Sequence, residues 1–549
     1  MHILFIASAY NCLCQRMHVE LRDLGHEITI ELFSNPDELI ENVERLRPQL
    51  ILSPMLTKVI PEAIWRKYVC IILHPGIVGD RGASSLDWAI LENQQVWGVT
   101  ALQAAAQMDA GDIWAHQEFL MRPASKGSLY RHEVVEAAVK ALLHAVERFA
   151  QQDYDPQPLD YERLTTRGTW HPFMRQEDHR IDWRASTASI LRIIRASDNR
   201  PGTLDRIFGQ EYYLYGAHNE HELRGEPGEI LAKRHGAVCR ATGDGALWIS
   251  HLKAKSDNLK LPAVSALGKA AGAIPHSTPN PMDAPDQTYR DICYEEAGQV
   301  GFLHFDFYGG AMGVDHCQRL AEEISRALKR DTRVLVLMGG EDFFSNGIHL
   351  NLIEAAPSPA DESWANLNAM NDVVKTVLLA QSHLIVAALQ GNVAAGGVAL
   401  AAAADVVWAR QGVILNPHYR KMGLYGSEYW TYVLPRRVGA AWAERLTTDC
   451  LPIGSRQARE IGLIDEYFGA NLCQFRHWVS ARAQELTSSA GAAGLARRLA
   501  EKRASRQRDE ALKPLAQYRA EELEKMHQIF YNPDQPYHRK RAEFVWKTA

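Results

Sequence analysis

Extended apolar runs alternate with amphipathic segments through the first third of the chain. Residues 3–7, 28–32, 50–53 and 69–73 read as strands, and 17–24 and 37–46 between them carry the helical period. Strands this apolar, separated by helices, predict a parallel sheet covered on both faces. Ligands of such a sheet sit beyond the carboxyl ends of its strands. From about residue 168 the pattern changes. A helix over 186–196 precedes short extended segments at 211–215 and 238–241, with GEPGE and TGDG as turns, which predicts a small β-rich unit. Residues 254–286, rich in Ala, Gly, Pro and Ser, read as a linker. A new α/β unit begins near Arg290, with strands at 302–307 and 334–338 around a helix at 315–329. From about Phe475 the chain is helical and charged, broken by a Pro/Tyr-rich stretch at 531–537.

The most apolar stretch, 384–409, is interrupted by Gln390, Asn392 and Asp405 and is rich in Ala and Gly. A membrane span needs about 20 mostly apolar residues, so strand, glycine turn and buried helix fit it better. The opening MHILFIASAY lacks a basic n-region and a cleavage site and reads as a buried first strand. At 549 residues the chain has room for about three to five domains. A net charge of −6 gives no basic excess for nucleic acid. The eight cysteines are scattered; Cys12 and Cys14 form one CxC with no second ligand pair, so no metal is expected. This usage fits a reducing compartment, and a soluble cytoplasmic protein without membrane or nucleic-acid partners is the expectation.

In ILHPGIVGDRGASSLDWAI, His74 follows a buried strand and leads into a Gly-rich loop and then a helix. Asp109 lies downstream in the turn MDAGDI. A histidine at a strand end with a distant carboxylate suits acyl transfer, since the imidazole can relay a proton while the carboxylate sets its tautomer. Alone, such a histidine is as readily a satisfied structural group. With the loop and Asp109 it resembles the folate-dependent formyltransferases, which carry a strand-end His, an Arg-Gly loop and an Asp in a Leu-Asp-x-Gly turn. His74, Arg81-Gly82 and Asp109 match in order. RIDW at 180–183, Pro227-Gly228 and ATGDG at 241–245 resemble that family's second domain. The resemblance covers about residues 1–255. It implies His74 and Asp109 as catalytic groups, and Asp80, Arg81 and Gly82 as the folate-binding loop, with formyl-tetrahydrofolate as cofactor. The family's Asn falls at Ile72, which cannot donate to an oxyanion. Losing one such donor costs about 10²–10³ in rate, so a replacement is expected from the 8–15 loop, with Ser8 as candidate.

The C-terminal half carries LVLMGGEDFFSNGIHLNLIE and HLIVAALQGNVAAGGVALAAAADVVWA, each a buried strand, a turn and a helix. Glycines let backbone pass close to a ligand, and free amides at such turns can hold a thioester oxygen. Together these segments resemble the crotonase (enoyl-CoA hydratase) family over about residues 295–470. The resemblance implies coenzyme A as cofactor and an oxyanion hole from the N–H groups of Ile348 and Gly396. The family's two glutamates fall at Ala399 and near His418, which argues against simple hydration. NPHYRKMGLYGSEYW supplies other polar groups: Glu428 and Tyr419 as leading candidates for acid–base work, with His418 and Tyr425 as secondary ones. A buried glutamate with a raised pKa can serve as a base near neutrality.

The whole pattern resembles hydrogenase maturation factors that carry this same fusion. It implies a multidomain α/β protein: a Rossmann-like domain (1–165), a small OB-like domain (166–255), a linker (256–289), a crotonase-like domain (290–475) and a helical region (476–549). It further implies carbon monoxide synthesis for a NiFe hydrogenase, by formyl transfer to CoA and breakdown of formyl-CoA. The NiFe-hydrogenase large subunit or its maturation proteins would be partners. Two other readings stay open: formyl transfer to an amine with an inert crotonase half, and a non-catalytic folate- and CoA-binding scaffold.

Overall fold

The apolar runs at the head of the chain form the centre of a six-stranded sheet. Its order is Glu27–Leu32, His2–Ala7, Leu50–Ser53, Cys70–His74, Val96–Gln103 and Ile113–Leu120. Ile3, Leu4, Phe5 and Ile6 have no solvent exposure, as continuous hydrophobicity requires of a strand covered on both faces. The first four strands are mutually parallel, but the last two are antiparallel. The sheet is therefore mixed rather than wholly parallel. The turn holding Asp109 reverses the chain between Val96–Gln103 and Ile113–Leu120, and a direct reversal can only give antiparallel neighbours.

The computed structural model describes all residues except 152, 153, 164, 165, 258, 279–286, 548 and 549. The chain divides into two compact units. One holds residues 1–233, 237–252 and 269–276; the other holds 234–236, 253–268 and 277–549. In the first unit, the helix Thr187–Ser197 precedes a second sheet ordered Thr203–Ile207, Gln210–Glu220, Ala246–Ala254, Ala237–Ala241 and Ile230–Arg234. Residues 168–171, expected to open this second domain, run instead along the 79–82 loop. Arg81 bridges Trp170, and a Cβ on Gly168 would stand 1.8 Å from the Asp80 nitrogen.

Part of the expected linker forms regular structure. Lys260–Pro262 is a strand and Ala263–Leu267 a helix, followed by a 3₁₀ turn at Gly268–Ala273. Leu259 and Leu261 bury their side chains with Val545, so the segment has a small core of its own. The part at 279–286 lies outside the described residues.

The second unit contains two sheets. Six strands run Ile292–Ala297, Val300–Phe305, Val334–Leu337, Leu384–Leu389, Val406–Arg410 and Glu466–Phe468; after the first antiparallel pair all are parallel. A shorter sheet runs Phe343–Ser345, Asn392–Ala394, Ile414–Asn416 and Ile453–Gly454, its first three strands parallel. The apolar stretch at 384–409 is strand, turn, the buried helix Gly396–Ala402 and strand. No helix among the described residues is long and apolar enough to cross a membrane. Four helices, Leu472–Thr487, Ala492–Leu512, Leu515–Tyr531 and Pro536–Trp546, complete this unit.

Candidate active sites

In the first unit the strand Cys70–His74 delivers His74 at its carboxyl end, 5% exposed. Its Nε2 donates to Asp80 Oδ2 at 2.7 Å, and its Nδ1 lies 3.5 Å from Asp109 Oδ2. The imidazole is thus held between two carboxylates. Asp80 is fully enclosed, and its other oxygen meets His171 Nδ1 at 3.4 Å. Asp80, expected in the folate-binding loop, thus stands against His74 on one side and His171 on the other. Gly76 makes the pairing possible, because a Cβ there would fall 2.3 Å from Asp80 Oδ2 and 2.5 Å from His74 Nε2.

Asp109 sits at φ +54, a left-handed conformation that Asp tolerates better than most residues. It accepts from the Gly82 N–H at 3.3 Å. Gly82 (φ +123) could carry no side chain, since a Cβ would stand 2.3 Å from the His171 carbonyl oxygen. The Arg81 guanidinium faces Gln107, whose amide oxygen, turned toward it, accepts at 2.9 and 3.2 Å. The expected replacement donor is not found at Ser8. Its hydroxyl is taken up with Thr57, 2.9 Å away, and its N–H donates to the Met55 carbonyl. Asn11, in the same loop, caps the helix Cys12–Asp23 by accepting from the Cys14 N–H. Among the described residues no group of three or more His, Cys, Asp or Glu is placed to hold a metal ion.

In the second unit, three adjacent parallel strands each lead at their carboxyl ends to a candidate residue. Phe343–Ser345 runs into Ile348, Asn392–Ala394 into Gly396, and Ile414–Asn416 into His418 and Tyr419. The Gly347 turn abuts the Gly396 nitrogen, 3.2 Å from where a Cβ on Gly347 would be. Ala395, just before Gly396, is forced to φ +47. Glu428 and Tyr429 are also left-handed, at φ +61 and +58. Such non-glycine conformations cost on the order of 1–3 kcal/mol each and persist only where surrounding contacts impose them.

The contacts on Glu428 are specific. Its Oε2 accepts from the Tyr419 hydroxyl at 2.9 Å and from the Ser427 N–H at 3.0 Å. Its Oε1 lies against Gly396, 2.6 Å from where a Cβ would be. Burial pushes the Glu428 carboxyl up to about 7, against the lowering effect of its hydrogen bonds, and Glu522 raises it further. Burial and the adjacent Glu428 hold the Tyr419 phenol well above its ordinary value.

The other two candidates do not join this pair. The His418 Nδ1–H donates to the Asn416 carbonyl at 2.8 Å, and burial lowers its pKa. Tyr425 packs on Trp430 at 5.3 Å with Lys525 over its ring. The His418 Nδ1 is thus held by its own turn, and the Tyr425 ring is packed against its neighbours. Sequence reasoning missed Asn371, whose Oδ1 accepts from the Glu428 N–H at 2.8 Å, and Glu522, which grips the same segment. Neither lies in a glycine turn or near the motifs in sequence. His171, behind Asp80, was missed for the same reason.

The chain matches three family descriptions: "Formyl transferase" over residues 16–146, "Formyl transferase, C-terminal domain" over 174–263 and "Enoyl-CoA hydratase/isomerase" over 316–536. It is 45% identical over 553 residues to the "Hydrogenase maturation factor HoxX" of Bradyrhizobium diazoefficiens, covering 100% of this chain and 95% of that protein. The crystal structure of HypX from Aquifex aeolicus in complex with tetrahydrofolic acid superposes with a TM-score of 0.95 at 44% identity, covering 100% of this chain and 96% of that one. A methionyl-tRNA formyltransferase of Sulfurihydrogenibium sp. is 26% identical over 233 residues, which is 41% of this chain and 73% of that protein.

Proposed function

The chain belongs to the hydrogenase maturation factor HoxX family, and from that premise we propose that it makes carbon monoxide from formyl-tetrahydrofolate in two steps joined by formyl-CoA. Its formyltransferase and crotonase halves each supply one step. In the first, the CoA thiol loses its proton to His74 Nδ1 as sulfur attacks the formyl carbon of formyl-tetrahydrofolate. The C–N bond then breaks, and the departing nitrogen takes that proton back. Asp80 fixes the tautomer by accepting from Nε2, and Asp109 meets the proton on Nδ1. Arg81 and Gly82 belong to the loop that would hold the folate, and the tetrahydrofolic acid complex of the Aquifex aeolicus relative supports folate as the formyl carrier.

In the second step, the carbonyl oxygen of formyl-CoA meets the N–H groups of Ile348 and Gly396. Glu428 removes the formyl proton as the C–S bond breaks. This releases CO and a CoA thiolate, which is reprotonated through Glu428 and Tyr419. No electron donor or acceptor is needed, because formyl-CoA divides into CO and CoA. The observation that carries this reading is the Glu428 carboxyl, which presses one oxygen on Gly396, beside the proposed hole, and takes the Tyr419 hydroxyl on the other. The recipient would be a NiFe-hydrogenase large subunit or one of its maturation proteins, in the cytoplasm, where folate and CoA are at hand.

The test is CO release, trapped on reduced haemoglobin, from protein given formyl-tetrahydrofolate with and without CoA. CO that requires CoA is the expected result. Formylation of an added amine without CO would replace this reading with a simple transferase. Binding of both ligands with no turnover would leave a scaffold.

A further inference from the structure

The helix Leu515–Tyr531 carries a glutamate, Glu522, that is wholly out of solvent. Its Oε2 accepts from the Tyr429 N–H at 2.9 Å and the Ser427 hydroxyl at 3.3 Å. Its Oε1 accepts from the Thr431 N–H at 2.9 Å and the Thr431 hydroxyl at 2.5 Å. Four donors from three residues thus converge on one carboxyl, and those residues bracket Glu428. On the other side, Asn371 accepts the Glu428 N–H on Oδ1 and donates its Nδ2–H to the Ser427 hydroxyl oxygen. The segment so clamped contains the consecutive left-handed residues Glu428 and Tyr429. A free loop of this sequence would relax out of that conformation, and without Glu522 the buried Tyr429 N–H would lose its acceptor.

We propose that Glu522 is a positioning residue for the crotonase-half reaction, clamping Ser427, Tyr429 and Thr431 so that the Glu428 carboxyl stays over Gly396 beside Tyr419. The inference rests on the proposed reaction for its kinetic consequence, and on the clamp alone for its structural one. Glu522 also acts on Glu428 by charge, because two neighbouring carboxyls disfavour each other's ionisation. The other titratable or charged groups around the pair are Tyr419 and Cys317 toward Glu428, and Tyr429, Arg519 and Asp372 on the Glu522 side.

The experiment compares full-length wild type with Glu522→Gln and Glu522→Asp in two readouts. The first is the carboxyl infrared band of the resting protein during a pH titration, with the Glu428 band identified by its loss in Glu428→Gln. Glu522→Gln removes the charge and turns an amide N–H₂ toward the Tyr429 N–H, so the Glu428 midpoint should fall by roughly one unit. The second is CO release from supplied formyl-CoA. There kcat should fall about 10²-fold, the cost of a small misplacement of a reacting group, with KM little changed and with partial recovery in Glu522→Asp. An unmoved Glu428 midpoint together with unchanged kcat would overturn the proposal, even if the variant melts earlier. If wild type releases no CO, the reaction falls and the Glu428 midpoint in Glu522→Asp, which keeps the charge and shortens the reach, decides the clamp: a shift upholds it and an unmoved midpoint overturns it. If Glu522→Gln does not fold, Thr431→Val removes one donor of the four and should move the midpoint the same way by less; no movement there would again overturn the proposal.

Discussion

Tyr419 donates its hydroxyl to Glu428 across 2.9 Å with both residues buried. In the proposed reaction the two act as one acid–base unit. Glu428→Gln removes the only member that can take a proton near neutrality, and CO release from formyl-CoA should drop by about 10²–10⁴-fold. With formyl-tetrahydrofolate and CoA supplied, formyl-CoA should accumulate, which thioester chromatography would detect. Tyr419→Phe should cost less, about 10–10²-fold, as expected for one hydrogen bond to a charged group. An equal loss in both variants would mean that the tyrosine, not the glutamate, moves the proton.

Stability should depend on pH through the same buried carboxyls. Glu428 and Glu522 are each pushed up to about 7 in the folded protein by burial, whereas an unfolded glutamate titrates near about 4.3. The folded state therefore holds more protons between those values. The stability this contributes is complete below the unfolded pKa and is lost as pH rises through about 7. Melting curves from pH 5 to 8 should show Glu428→Gln gaining on wild type as pH rises. A gap that is constant across the range would contradict the raised carboxyl. In turnover the sign is opposite, since a base must be ionised: CO release from formyl-CoA should climb through about pH 7.

At the other site, His74→Ala and Asp109→Asn should each reduce formyl-CoA formation from formyl-tetrahydrofolate by about 10²–10⁴-fold. CO release from added formyl-CoA should continue, and assaying both substrates on one preparation separates the halves. Loss of both activities in His74→Ala would point to general damage instead.

Gly76→Ala is the smallest change expected to disable the first site. The added methyl group would fall within 2.5 Å of both His74 Nε2 and Asp80 Oδ2, so the pair must separate. Overpacking of this kind typically costs about 1–3 kcal/mol. A modest fall in Tm with a disproportionate loss of formyl transfer is the expected result. Wild-type transfer rates in Gly76→Ala would show that the His74–Asp80 bond is dispensable.

Much of this architecture is legible in the sequence, because strands buried on both faces and paired glycine turns leave local signatures. The segment 384–409 resolves into strand, turn and helix on the evidence of its few polar residues, and the candidates Glu428 and Tyr419 fall in one short stretch whose side chains do meet. What stayed hidden is set by contacts between distant parts of the chain. His171 reaches Asp80 from 91 residues away, Asn371 reaches Glu428 from 57, and Glu522 reaches Tyr429 from 93. No periodicity records such a meeting. Small-residue composition misled at 260–273, where the alternating Leu259 and Leu261 outweighed the turn-forming residues around them. Ser8 misled for a different reason: a hydroxyl in a loop looks available until its neighbour Thr57 is placed.

The clamp on Glu428 also gives the two sites different birthdays during synthesis. His74, Asp80, Asp109 and His171 all lie within the first 171 residues, so the first pocket has all its parts when less than a third of the chain has been made. Glu428 has its backbone in the chain long before Glu522 is added, and until then the Tyr429 and Thr431 N–H groups lack the carboxyl that receives them. If the proposed reaction holds, a nascent chain would carry the groups assigned to formyl transfer before the helix Leu515–Tyr531 supplies the carboxyl that holds the second set.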